Sequence, residues 1–164
     1  MTNEEYFRHI ELIITDLQQL RGEAINLSAG IIGESLLQED LFFCAAADRC
    51  IRLIDGFIPM LRDRNLTCTG AMLRLQMDNC RTYAAFIAED RKAVVDCVIN
   101  GEAIKKLKDA NGIKMSDKHL KEELTKIDAQ FSQVYDQASG YIHLSEKAFY
   151  QTVATVDNYA IGIA

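Results

Sequence analysis

The chain has no tryptophan, one proline and no Cys-x-x-C pair. A single proline in 164 residues leaves little punctuation between elements, and no linker rich in Pro, Gly or Ser divides the sequence. The five cysteines, Cys44, Cys50, Cys68, Cys80 and Cys97, are odd in number, and four fall on stretches that read as helix. They are expected to be reduced, mostly buried small hydrophobes, not disulfide staples or zinc ligands, which points to a cytoplasmic protein. No apolar run approaches the ~20 residues of a bilayer span. The opening Met1-Thr2-Asn3-Glu4-Glu5 is acidic where a secretion signal would be basic and then apolar. Neither membrane insertion nor export is expected. Positive charge is scarce as well: a net charge of −6 argues against a DNA-binding surface built on bulk charge.

What is present is apolar and periodic. Apolar residues make up 49% of the chain, enough to close a core without metal or disulfide, so one domain over 1–164 is expected. From Asn3, Tyr6, Ile10, Ile13, Leu17 and Leu20 recur at helical spacing, and Gly22 is expected to close that helix. Residues 24–33 then read as a connection. A second helix is predicted from Ser35 through Phe43, Ala47, Cys50, Ile54, Phe57 and Leu61, kinked or broken at Pro59. Residues 64–68 read as a loop and Thr69 as the cap of a third helix, whose stripe is Leu73, Met77, Cys80, Ala84 and Ile87.

Three further helical pieces follow. Residues 90–99 stop at Asn100-Gly101, and a short lysine-rich piece over 103–110 stops at Asn111-Gly112. Ser116 caps a long helix that buries Leu120, Leu124, Ile127, Phe131 and Val134 and is interrupted at Ser139-Gly140. A last helix is predicted from Ser145, with Phe149, Val153, Val156, Ala160 and Ile163 on one face. No stretch shows clear strand alternation. The fold class is therefore all-α, an antiparallel bundle of about five to seven helices. The apolar stretch Ala160-Ile161-Gly162-Ile163-Ala164 suits packing into the core, contact with a partner subunit, or a chain that continues.

Basic residues are partitioned. All nine arginines lie between Arg8 and Arg91, and all nine lysines between Lys92 and Lys147. Because guanidinium pairs bidentately and is weakly hydrated, more internal ion pairs are expected in the first part. Arg74, Asp78 and Arg81 at i, i+4 and i+7 read as an ionic ladder beside the apolar stripe.

Chemistry concentrates at residues 131–145, where Tyr135, Asp136, Ser139 and His143 crowd the end of a helix. Candidate site residues are His143, Arg74, Asp78, Ser139 and Tyr135. His143 follows Ser139 by one helical turn, and a carboxylate such as Asp78 would orient its imidazole. A Ser-His relay also needs an oxyanion hole, for which this chain has no strand-to-helix elbow. The plainer reading is a structural polar cluster. No Glu-x-x-His pair of the di-iron kind is present. His119 with Glu122 and Glu123 sits among Lys118, Lys121 and Lys126 and reads as a solvated face, and His9 reads likewise. Gly30-Ile31-Ile32-Gly33 is too short for a phosphate loop. Met72, Met77, Tyr83 and Phe86 read as core. Neither a metal nor a cofactor is expected.

The succession of Leu73-Arg74-Leu75-Gln76-Met77-Asp78, a long helix, and residues 135–145 with Ser-x-x-x-His resembles bacterial all-helical domains and, more distantly, the HEPN superfamily, over roughly residues 41–145. That resemblance implies a HEPN-like bundle. Many members cut RNA with an arginine and a histidine four to six residues apart on one helix, and they commonly dimerise. His143 matches the histidine. Positions 136–139 are Asp136, Gln137, Ala138 and Ser139, so the arginine is absent and Arg74 would have to serve from another helix. Two functions are expected from this reading. The first is a bacterial bundle acting by association with itself or a protein partner; the alternative is a HEPN-like ribonuclease or nucleotide-binding module of a stress or phage-defence system, with RNA as partner only in that case.

Overall fold

Two long helices, α1 (Asn3–Ile31) and α2 (Gln38–Arg62), lie side by side and run in opposite directions. They belong to a computed structural model that describes residues 3–33, 37–142, 153–156 and 160–163. Two bidentate ion pairs tie them in this sense, Arg62 at the end of α2 with Glu11 near the start of α1 at 3.1 Å, and Asp55 two turns back along α2 with Arg21 further along α1 at 2.6 Å. Between them Ile10, Ile14, Ile54, Ile58 and Leu61 form one core cluster.

α1 does not stop at Gly22. The helical repeat continues through Leu17, Arg21, Ala24 and Ser28, all partly buried, so the contact face narrows to small residues where large apolar ones run out. A glycine in a helix costs only about 1 kcal/mol relative to alanine, and packing along α2 outweighs it. Leu20, expected on the buried stripe, is 52% exposed, and Ile14 is buried there instead. α2 likewise runs through Pro59 without ending, because Ile58 and Leu61 bury its last turns against α1. Its first turn is closed by the Asp40 carboxylate accepting from the Leu37 N–H at 2.9 Å; Ser35, expected to start it, lies outside the described residues.

Helix α3 (Leu66–Met77) returns along α2 and is capped by Asn65, which accepts from the Cys68 N–H. Thr69, expected as the cap, is buried inside the helix, its hydroxyl against the carbonyls of Asn65 and Leu66. The predicted third helix tightens into a 3-10 turn (Asp78–Tyr83) and continues as α4 (Ala84–Ile87), keeping Cys80 and Ala84 buried. Helix α5 (Arg91–Ile99), capped by Asp90, ends at Asn100-Gly101 as expected. Phe42, Ala84, Ala85, Val94, Val95, Met115 and Leu120 make a second core cluster. Phe86, read as core, is largely exposed and leans on Phe43 and Tyr83.

The lysine-rich helix predicted over 103–110 is absent. In its place a 3-10 turn (Ile104–Lys106) leads into a hairpin-like loop with paired backbones at Lys108 and Lys114 and at Ala88 and Asp109. Ser116 caps the next helix as expected, yet one long helix is two, α6 (Asp117–Ile127) and α7 (Phe131–Ser139). The Asp128 carboxylate accepts from the Gln130 N–H, a local turn that competes with the helix, and it leaves Ile127 exposed, not buried. The last predicted helix is also overturned: Val153–Val156 (β1) and Ala160–Ile163 (β2) pair as antiparallel strands, Val153 opposite Ile163. β-branched residues make up three of four positions in β1 and two of four in β2, which favours strands. Ser145 and Phe149 lie outside the described residues.

Seven α-helices thus make an all-α bundle among the described residues, with the strand pair at the end of the chain. None of them is long and apolar enough to cross a membrane. The cysteines are free; Cys80 and Cys97 are buried, Cys44 and Cys50 partly buried, and Cys68 is exposed, against the expectation for that one. The arginine–lysine partition has a structural counterpart, though in exposed pairs and not the internal ones expected, and with Arg52 and Arg74 pairing locally and Lys121 reaching Asp136 as exceptions. Arg21, Arg62, Arg81 and Arg91 pair across elements, with Asp55, Glu11, Asp117 and Glu39, whereas Lys92, Lys106, Lys118 and Lys126 pair with carboxylates three or four residues away.

Helix α7 packs on α3, and just past its end Tyr141 lies against Gly70, which is buried. A Cβ at that position would overlap the Tyr141 ring. Gly70→Ala is expected to destabilise the fold by about 1–3 kcal/mol through overpacking, read from urea denaturation; an unchanged midpoint would show that α7 does not depend on this contact.

Candidate functional site

Tyr135 and Ser139 are four residues apart on α7 and so share one face, the face turned to α3. Arg74 on α3 and Asp78, the first residue of the 3-10 turn that follows it, are also four residues apart. The structure brings these four sequence candidates together around the Arg74 guanidinium, whose side chain is only 13% exposed. Nη1 donates to the Asp78 carboxylate, Nη2 to the Tyr135 hydroxyl at 2.7 Å and Nε to Ser139 Oγ at 3.1 Å. The guanidinium carbon also sits 4.2 Å from the Tyr135 ring centre, a cation–π contact. His143, the fifth candidate, lies outside the described residues.

This arrangement leaves Ser139 poorly equipped as a nucleophile. Its hydroxyl donates back to the Tyr135 carbonyl at 2.9 Å, and the group that meets its oxygen is a cation, not a base. Tyr135 is no better placed to ionise. Burial pushes its phenol above the ordinary value, against the pull of Arg74. Cys80, nearby on the 3-10 turn, has its thiol pushed up to about 11 by burial, so it carries no thiolate at neutral pH. Each of these groups favours a brace between α3 and α7 over a reaction centre.

The ladder read from Arg74, Asp78 and Arg81 is only half present. Arg81 turns to the start of α6 and grips Asp117 with two bonds of 3.2 Å, which holds the guanidinium further into its charged form. It thereby ties the 3-10 turn to α6.

Sequence reasoning missed a second polar centre. His119, assigned to a solvated lysine-rich face, is 8% exposed, and its Nε2 meets Oδ2 of Asp109, 2% exposed, at 2.9 Å. Oδ1 of Asp109 accepts the backbone N–H groups of Asn111 at 2.9 Å and Ile113 at 2.8 Å. These bonds hold the Asp109 carboxyl below the ordinary carboxylate range, the Ile113 N–H contributing most, with burial opposing and His119 assisting. The carboxylate is therefore ionised and His119 Nε2–H donates to it. Asp109-Ala110-Asn111-Gly112 carries the signal that could have revealed this: an Asp two residues before Asn-Gly forms a turn on its own side chain, with Gly112 at φ 79°. His119 then follows the side of α6 that buries Leu120.

His9 is exposed, as expected. Among the described residues no three His, Cys, Asp or Glu side chains gather as a metal site would require. No protein family matches the chain, and no curated protein or solved structure is similar to it.

Two outcomes test the site. Arg74→Met strands the Asp78 carboxylate and two hydroxyl acceptors and is expected to cost about 1–3 kcal/mol, measured by urea denaturation, with Arg74→Met/Asp78→Leu recovering part of the loss. Asp109→Asn is expected to lower the melting temperature at pH 7. A carboxylate whose folded pKa is depressed stabilises above its unfolded pKa of about 4 and loses that contribution as pH falls. The gap between Asp109→Asn and wild type should therefore close in melts taken progressively below pH 4; a gap constant down to pH 2 would refute an ionised Asp109.

Proposed function

We propose that this protein acts by association, burying one flank of α1 against a second copy of the chain, with the Arg74 cluster as an internal brace. The observation that carries the reading is the row Leu12, Leu20 and Leu27, which are 63%, 52% and 67% exposed. At about 100° per residue the three fall within an arc of about 80°, along one side of a 29-residue helix whose main packing partner is α2. Single exposed leucines are ordinary on a protein surface, but a row of them on one long helix is the pattern of an interface. A helix flank presented in this way suits a two-fold contact, in which the same row meets itself.

The HEPN-like ribonuclease reading asks Arg74 to stabilise charge on a phosphate. Arg74 instead directs its donors to Asp78, Tyr135 and Ser139, and this supports a structural part for it. The association reading needs nothing from His143.

Light scattering coupled to gel filtration tests it. Wild type is expected to run as a dimer or larger species, and Leu20→Glu/Leu27→Glu as a monomer with unchanged helical circular dichroism. A wild type that is monomeric at every concentration, or a double variant that still dimerises, would refute the α1 interface.

A further inference from the structure

A cleft of about 950 Å³ opens between α2, the 3-10 turn (Asp78–Tyr83), the end of α5 and the start of α6. Phe42, Ala46, Val98, Ile104, Met115 and Leu120 give it an apolar lining. Its size falls at the upper end of the range for sites that enclose small molecules, and its mixture of apolar surface with a few charged groups is also that of such sites.

The charges around the cleft do not cancel. Three carboxylates line it, and each is already matched: Asp78 by Arg74, Asp117 by Arg81 at 3.2 Å, and Glu102 by Lys106 at 3.5 Å. Of the lining cations, Arg81 is neutralised by Asp117, and Lys118 stands 3.8 Å from Glu122. Arg49 and Lys105 have no carboxylate partner among the described residues. Arg49 is anchored through Nη1 alone, to the Leu75 carbonyl at 3.0 Å and to Asn79 Oδ1, which leaves the rest of its guanidinium fork for a ligand. On a chain with net charge −6, a cleft with two uncompensated cations is a local reversal of sign. The N-terminus of α6 adds little, since Ser116 already accepts the His119 N–H.

We propose that this cleft binds a small amphipathic anion, a carboxylate carried on an apolar body, with the body on the apolar lining and the carboxylate against Arg49 and Lys105. An arginine fork is the side chain best matched to a carboxylate's two oxygens. Two cations are too few for a nucleic-acid track, and carboxylates already paired to arginine and lysine do not make a cation site. This site is separate from the α1 flank, and the two proposals stand or fall independently.

Isothermal titration with decanoate tests it, with decyltrimethylammonium and inorganic phosphate as probes of the apolar body and the charge alone. Decanoate is expected to bind saturably at one site, with the other two much weaker. Lys105→Glu should weaken decanoate by about tenfold, the scale of one charge-assisted hydrogen bond. Ala45→Trp, placed at an exposed position on the cleft wall, should abolish binding. Circular dichroism of both variants should match wild type, since neither alanine nor lysine at these positions is buried. No saturable decanoate binding, equal binding of decyltrimethylammonium or of phosphate, or undiminished binding by a folded Ala45→Trp would each overturn the proposal.

Discussion

The Arg74 guanidinium sets how the second half of the molecule sits on the first. A guanidinium that is almost out of water cannot shed its charge, so its donors must find acceptors and its charge a counterion. Asp78 supplies the charge from the same turn, and the remaining acceptors come from Tyr135 and Ser139 across the helix contact. These bonds together tie α7 to α3. Gly70 makes the approach close enough by leaving room for Tyr141 one turn away along α3. The cluster that looks most like a reaction centre in the sequence is thus the group that fixes where α7 can lie.

Helix α2 carries the same logic at larger scale. It gives Ile54, Ile58 and Leu61 to one core and Phe42 to the other, so two apolar clusters are joined by a single rigid rod. The first core holds the helix pair, and arginines bolt its rims. The second is roofed by the loop that Asp109 folds, and the bond from His119 to Asp109 clips that loop to α6. The cleft opens where these parts meet. It has an apolar lining because it borders the second core, and a positive character because the carboxylates around it are already claimed by cations.

The arginine and lysine halves of the chain differ for a related reason. A forked cation can bridge two elements with two parallel bonds, and Arg21, Arg62 and Arg81 do so at the surface. Ammonium groups stay hydrated and settle for a carboxylate one turn along their own segment, Lys121 with Asp136 being the exception that reaches a neighbouring helix. The exposed row on α1 sits outside both cores because α2 covers only the opposite side of that helix.

Helical class, the cap at Ser116 and the stop at Asn100-Gly101 were legible in the residues themselves, because apolar period and capping chemistry act over a few neighbouring positions. Arg74, Asp78, Tyr135 and Ser139 were legible as candidates, but the sequence set them around His143, and only the contact of α7 with α3 made Arg74 the centre of the four. For α2 the periodicity reached Leu61 but did not decide between a kink and a break at Pro59. The run of α1 past Gly22 was not legible, since local cost argued for stopping and only burial against α2 argued for continuing. His119 was misread for the same reason. Its sequence neighbours are charged, but its partner lies ten residues back in a turn, and only the folded chain places that carboxylate beside it. Local chemistry determined the cap at Ser116 and the stop at Asn100-Gly101; long-range packing decided how far α1 and α2 run and which polar groups leave the water, because burial energy belongs to pairs of elements and not to single residues.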